Sequence, residues 1–271
     1  MGLPYEILAQ GYFAESELIV HWTPSEMNRN LETKHLIEES WSARQADAQA
    51  RNQVLFPGEL CRLVNWKESS DTLSITFGST DYKELVGTNL SNPEIASRFG
   101  EEYLSNGTAA CSVVVTTDHK LIVQRRNERV YEYPGRYHVC GGNLEPDKCG
   151  SSKCPSPFAE MRKELREEIL VESHCIVDMH CLGIARDSHT LKPEILFETL
   201  LSIPSDSIVQ GPGPEHQRLL LLEESASEVL EFLISAAEQF VPVGLACLVA
   251  WGRRRYGSSW YEDFLIGIDS Q

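Results

Sequence analysis

The chain has 271 residues, 42% hydrophobic and 24% charged, the proportions of a soluble globular protein able to bury a sizeable core. Its 24 Lys and Arg against 40 Asp and Glu leave a formal charge of −16, which argues against nucleic acid or anionic membrane as the main partner. A small anionic ligand stays open, because a few arginines or a bound cation reverse the field locally.

The opening residues, MGLPYEILAQGYFAESE, contain neither a basic start nor a long apolar stretch, so no signal peptide is expected. The longest near-apolar run, Val241 to Trp251, is far shorter than the about 20 residues of a bilayer span. A soluble, cytoplasmic protein is expected, with its eight cysteines reduced. Cys149 and Cys154 flank a Gly/Ser/Lys loop, with a wider spacing than zinc sites usually show.

In chain order, a helix is predicted over about residues 30–53, with Leu31, Ile37 and Trp41 apolar on a charged background. Residues 60–66 and 72–78 read as a strand pair, and Gly87-Thr88-Asn89 with Ser91-Asn92-Pro93 as turn material. A boundary near Ser105-Asn106-Gly107 gives a smaller α+β unit at 1–105 and a second domain at 106–271. In the latter, strands are predicted at 109–117 and 120–126 around an Asp118-His119 turn, and at 137–140, ending on Gly141-Gly142. A loop at 146–156 leads to a strong helix at 157–170, with Ser156 as cap and Pro157 in the first helical position. Strands at 176–185 and 194–203, a Gly/Pro hinge at 210–214, a strand at 218–222 and helices at 227–239 and 243–254 complete the chain.

The helix after Ser156 is the most informative segment. At about 100° per residue, Phe158, Met161, Leu165 and Ile169 gather on one apolar face. Glu160, Glu164, Glu167 and Glu168 fall in a wedge beside it, while Arg162, Lys163 and Arg166 lie mainly on the remaining side. Like charges at i,i+4 destabilise a helix by a few tenths of a kcal/mol per pair, and a divalent cation with a preference for hard oxygen removes that cost. A solvated acidic face has the same pattern, so the helix alone leaves both readings open.

Context separates them. Gly141-Gly142 at a strand end, Glu145 three residues on, and Lys163-Glu164-Leu165-Arg166-Glu167-Glu168-Ile169-Leu170-Val171 resemble the Nudix hydrolase box, G-x5-E-x7-R-E-U-x-E-E-x-G-U with U a bulky aliphatic residue. Lys163 replaces the pattern's arginine, Leu170 its glycine and Lys148 its first glutamate, and about seven extra residues carrying Cys149 and Cys154 interrupt the first half. The split box, the segment from Thr80 to Asn89, Arg125-Arg126 and Leu182-Gly183-Ile184-Ala185-Arg186 are similar to the divergent Nudix branch that hydrolyses UDP-glucose and UDP-galactose.

The resemblance implies an α/β (α+β) fold: a Nudix α/β/α sandwich with the smaller N-terminal unit contributing to the nucleotide site. It implies hydrolysis of a nucleoside diphosphate sugar, UDP-glucose or UDP-galactose, to UMP and sugar 1-phosphate with Mg2+, or Mn2+, as cofactor. Glu164, Glu167 and Glu168 are the implied metal ligands and, with Glu194 as further ligand or general base, the catalytic set. Phe56, Tyr82, Arg126, His138, Asn143 and Glu145 are the implied substrate-binding residues, the two aromatics enclosing the base. Alternatives within the class are GDP-mannose, ADP-ribose or a dinucleotide. Outside it stands a Nudix-fold protein that binds a nucleotide without cleaving it. The expected partner is the small-molecule substrate, not nucleic acid or membrane, and the chain is expected to be a monomer or a homodimer.

Overall fold

The computed structural model describes residues 2–51, 54–147, 154–209 and 216–270, with backbone alone for residues 216 and 217. The predicted hinge at 210–214, together with Lys148 and Cys149, lies outside the described residues. In chain order the strands are β1 (Tyr5–Phe13), β2 (Leu18–Trp22), β3 (Glu59–Glu68), β4 (Leu73–Asp81), β5 (Ala109–Val115), β6 (Lys120–Arg126), β7 (Tyr137–His138), β8 (Cys140–Asn143), β9 (Ile176–Asp187), β10 (Pro193–Leu201) and β11 (His216–Glu223). The helices are α1 (Leu31–Ala50), α2 (Tyr82–Leu85), α3 (Ile95–Phe99), α4 (Pro157–Ile169), α5 (Ala226–Ala236), α6 (Pro242–Tyr256) and α7 (Ser258–Asp269).

Eight strands form a mixed sheet in the order β1-β9-β10-β5-β6-β11, with β7 on β6 and β8 on β5. The β10–β5 pair is parallel and the other neighbours are antiparallel. The alternation of β5 explains the layers. Cys111, Val113 and Val115 enter a core with Leu245, Leu248 and Trp251 of α6 and Val229 and Leu233 of α5. Ala110 and Val114 face the other way, onto Phe158, Met161, Leu165 and Ile169 of α4. Helices therefore cover both faces of the sheet, the α/β sandwich predicted from the sequence.

The smaller sheet, β2-β4-β3, packs Leu73, Ile75 and Phe77 into the same core as α4. Of residues 1–105, β1 instead pairs along β9 at the edge of the large sheet. Its irregular register at two places disguises the strand in sequence. Gly87–Asn89, where turn material was expected, lies in a helical turn, Val86–Leu90, that continues α2, and Asp81 caps α2 by accepting the Glu84 N–H at 2.8 Å. A Cβ at Gly87 would lie 2.5 Å from the Ile37 Cα of α1, and Asn89 Nδ2 donates to the Thr190 carbonyl at 3.1 Å. These contacts tie the segment to α1 and to the loop before β10. The last predicted helix, 243–254, is α6, and a further helix that was not expected, α7, follows it after Gly257 with φ +94.

Candidate active site

Local sequence decides where α4 begins. The Ser156 hydroxyl accepts the Ala159 N–H at 3.2 Å, and Pro157 needs no partner for a missing donor. At the other end Leu170 sits in the left-handed region, φ 53 and ψ 32, where the Nudix pattern has glycine. A Cβ there costs about 1 kcal/mol. Leu170→Gly is therefore expected to raise the melting temperature by about 2–4 °C, from the usual conversion for a domain of this size; a calorimetric midpoint that falls would refute this account of the turn.

Burial of Phe158, Met161, Leu165 and Ile169 leaves the acidic edge of α4 over β8. The double glycine allows the approach. A Cβ at 142 would stand 2.3 Å from the Glu164 carboxyl carbon, and one at 141 would meet the Ala110 carbonyl at 2.4 Å. Glu168 turns inward, accepting from the Gly141 N–H at 3.0 Å and from Gln124 Nε2 at 3.3 Å. Lys163 donates to Glu160 at 2.8 Å and lies 4.0 Å from Glu164. Burial, then the neighbouring Glu168 charge, push the Glu164 carboxyl up to about 9.

Across the cavity, Glu194 at the start of β10 pairs in register with Ala109. Burial pushes its carboxyl up to about 7, against the lowering effect of Lys192. Burial alone would lower Lys192, but Glu132 and Glu194 outweigh it and hold the ammonium, which donates to Glu132 Oε2 at 2.7 Å. The segment from Asn127 to Arg136 is held over the site by this pair, by a Tyr133 hydroxyl bond to Asp187 and by Arg126 Nε on the Glu132 carbonyl at 3.0 Å.

Glu164, Glu167, Glu194, Arg126, His138, Asn143, Glu145 and Tyr82 all line one cavity of about 760 Å3. Glu168 lies behind the wall on the Gly141 amide. Phe56 is not brought to the wall; its side chain is 67% exposed, while Val54 and Leu55 take part. Asn143 Oδ1 is buried with no hydrogen-bond partner among the described residues, an acceptor left for a ligand. Six of the 25 lining residues are Lys or Arg, against 24 in 271 overall, so the cavity wall is enriched in cations within an acidic chain.

Three contributors escaped the sequence reading: Arg44 of α1 with Arg51 at its C-terminal cap, the aromatic and basic residues of the 127–136 segment, and Lys192. Arg44 had a signal. Ile37, Trp41, Arg44 and Ala48 repeat at helical spacing as the buried stripe of α1, and a charge on such a stripe points to a built site.

Among the described residues no group of three or more His, Cys, Asp or Glu stands close enough to hold a metal ion. The donor chemistry nonetheless fits a hard divalent cation: three carboxylates share one helix edge, and the crowding at Glu164 is what a cation relieves. Among the described residues no helix is long and apolar enough to cross a membrane.

No family model matches the chain. It is 27% identical over 193 residues to Nudix hydrolase 9 of Arabidopsis thaliana, covering 58% of this chain and 61% of that protein. It is 28% identical over 133 residues to the mouse protein uridine diphosphate glucose pyrophosphatase NUDT22, covering 42% of this chain and 43% of that one. The chain thus spans less than two thirds of the length of either relative. A solved structure of the NUDIX domain of Shewanella oneidensis NrtR complexed with ADP ribose aligns at 12% identity and TM-score 0.41, over 61% of this chain and 99% of that one. A MutT protein from Methanosarcina mazei aligns at 14% identity and TM-score 0.39, over 55% and 94%. The chain is related to Nudix hydrolases.

Proposed function

We propose that this relative of the Nudix hydrolases is a divalent-metal-dependent pyrophosphohydrolase of nucleoside diphosphate sugars, cleaving UDP-glucose or UDP-galactose to UMP and sugar 1-phosphate. One observation carries the reading: Glu164 and Glu167 of α4 and the buried Glu194 line one cavity enriched in Lys and Arg. Carboxylates suit a cation, and the basic wall suits the diphosphate that the cation bridges. No step of the chemistry needs a nucleophilic side chain.

In this reading Glu164, Glu167 and Glu168 hold Mg2+ or Mn2+, which when bound neutralises phosphate charge and lowers the pKa of water. Glu168 reaches that role by leaving the Gly141 amide. Glu194 accepts the proton of the attacking water. Arg126 and Lys192 bear on the diphosphate, with Glu132 keeping Lys192 charged and in place. Asn143 and Glu145 contact the substrate beside the double glycine, and His138 lies within the same wall. Tyr82, braced edge-on by Trp41 at 6.3 Å, offers the base a ring from the N-terminal unit, residues 1–105. Cys61, Cys111, Cys140, Cys175, Cys181 and Cys247 are free thiols, which suits a reducing, cytoplasmic setting.

The test is release of sugar 1-phosphate from a panel of UDP-, GDP- and ADP-linked sugars, with Mg2+ and with EDTA. Turnover that needs the metal and is fastest on UDP-sugars is the expected result. Nucleotide binding without any cleavage would replace this reading with that of a non-catalytic nucleotide-binding protein.

A further inference from the structure

Arg126, Lys163 and Lys192 lie with the carboxylates of α4 and β10. Arg44 and Arg51 enter the same cavity from α1 and its C-terminal cap, where every residue given to the wall is either basic or, in Ala48, apolar. Arg44 is 8% exposed. Its guanidinium lies over the Tyr131 ring, 4.5 Å from the centroid, and Nη1 donates to Asp47 Oδ2 at 2.9 Å. Its Nε is buried without a hydrogen-bond partner among the described residues. Arg51 Nε leans on the other oxygen of the same carboxylate, Asp47 Oδ1, at 2.9 Å.

One carboxylate thus serves two guanidiniums, and it stands off the cavity wall. Burying a guanidinium is costly unless its donors are met, and a donor left unmet costs its full desolvation. The planar fork of arginine matches a carboxylate or phosphate, and a ring stacked on its face fixes the plane of that fork. We propose that Arg44 and Arg51, oriented by Tyr131, form a subsite for a second oxyanion of the substrate, a carboxylate or phosphate separate from the scissile diphosphate. The inference rests on the nucleoside diphosphate sugar reading above and, within that class, moves the preferred substrate from UDP-glucose or UDP-galactose to a relative bearing an extra negative charge on its sugar or nucleoside. A neutral hexose offers these guanidiniums hydroxyl oxygens but no charge-assisted, bidentate acceptor.

Two matched comparisons separate the sources of the oxyanion. UDP-glucuronate against UDP-glucose places it on the sugar; uridine 3′,5′-bisphosphate against UMP, as competing ligands, places it on the ribose. The charged member of one pair is expected to give at least a tenfold higher kcat/KM, or a tenfold lower inhibition constant. That ratio should collapse towards one in Arg44→Gln and in Arg51→Gln. Arg51 is about half exposed, so its variant serves if loss of the buried Arg44 prevents folding. Ratios near or below one in both pairs, with UDP-glucose still cleaved, overturn the subsite and leave the hydrolase standing. If no sugar nucleotide is cleaved, the hydrolase reading fails. The subsite is then judged on ligand-induced melting shifts for the same two pairs, and equal shifts overturn it.

Discussion

Glu164→Gln is expected to reduce sugar 1-phosphate release by at least about 10^3-fold while making the metal-free protein more stable at pH 8. Loss of one ligand of a catalytic cation removes charge stabilisation of the order assigned to the larger electrostatic contributions in enzymes. The stability gain has the opposite sign for a simple reason. Burial and Glu168 push the Glu164 carboxyl from its ordinary 4.5 up to about 9. Its raised folded-state pKa contributes stability that is full below pH 4.5 and is lost as pH climbs towards 9, at about 1.4 kcal/mol per unit. Glutamine has no such pH slope. A divalent cation restores the ionised wild-type site instead, and at 100 times its Kd it adds about 2.7 kcal/mol, or roughly 5–10 °C for a domain of this size. Melting curves at pH 5.5 and pH 8, with and without Mn2+, separate the cases: the wild-type shift grows with pH and the variant's does not. A wild-type shift independent of pH would mean that the cation binds elsewhere.

What was legible in sequence is what is local. The start of α4 follows from Ser156 and Pro157, and its acidic edge follows from helical spacing, because both depend on neighbours within one or two turns. The β5–β6 hairpin and the strands β9 and β10 were readable for the same reason, as alternating or buried runs between turn residues. Leu170 is instructive: the pattern marked it as a departure from glycine, and its left-handed φ of 53 gives the departure a physical meaning. Illegible parts are held by distant partners. β1 is an edge strand with two register breaks whose partner lies in β9. The wall from Asn127 to Arg136 exists because Tyr133 reaches 54 residues to Asp187 and Glu132 reaches 60 to Lys192. Arginine 44 could be placed on a buried stripe, but only the fold shows that the stripe ends at a cavity. These extra cations therefore add to Arg126, the basic residue that the sequence already placed on the substrate.

Glu194 offers the second large effect, and pH separates its two roles. A general base must be ionised, and burial holds Glu194 near 7, so kcat/KM of the wild type should rise about tenfold per pH unit below 7 and level off above it. Glu194→Gln should cost about 10^2–10^4-fold, the usual worth of a positioned base, and the acid limb near pH 7 should vanish with it. The Lys192–Glu132 pair remains in the variant, so lost phosphate binding is not expected to contribute. Stability again moves the other way. The folded-state pKa is raised from 4.5 to about 7, so its contribution is full below pH 4.5 and lost by pH 7, a difference of roughly 3 kcal/mol at 1.36 kcal/mol per unit. The variant should consequently melt higher than the wild type at pH 8 and equally at pH 4.5. If Glu194 were instead only a metal ligand, saturating Mn2+ would recover most of the lost kcat in the variant, and in the wild type it would displace the carboxyl proton and move the limb below pH 7. A variant that keeps both its turnover and its acid limb removes Glu194 from the chemistry altogether, and leaves the burial of a carboxylate between Ala109 and Lys192 as a cost with no functional return.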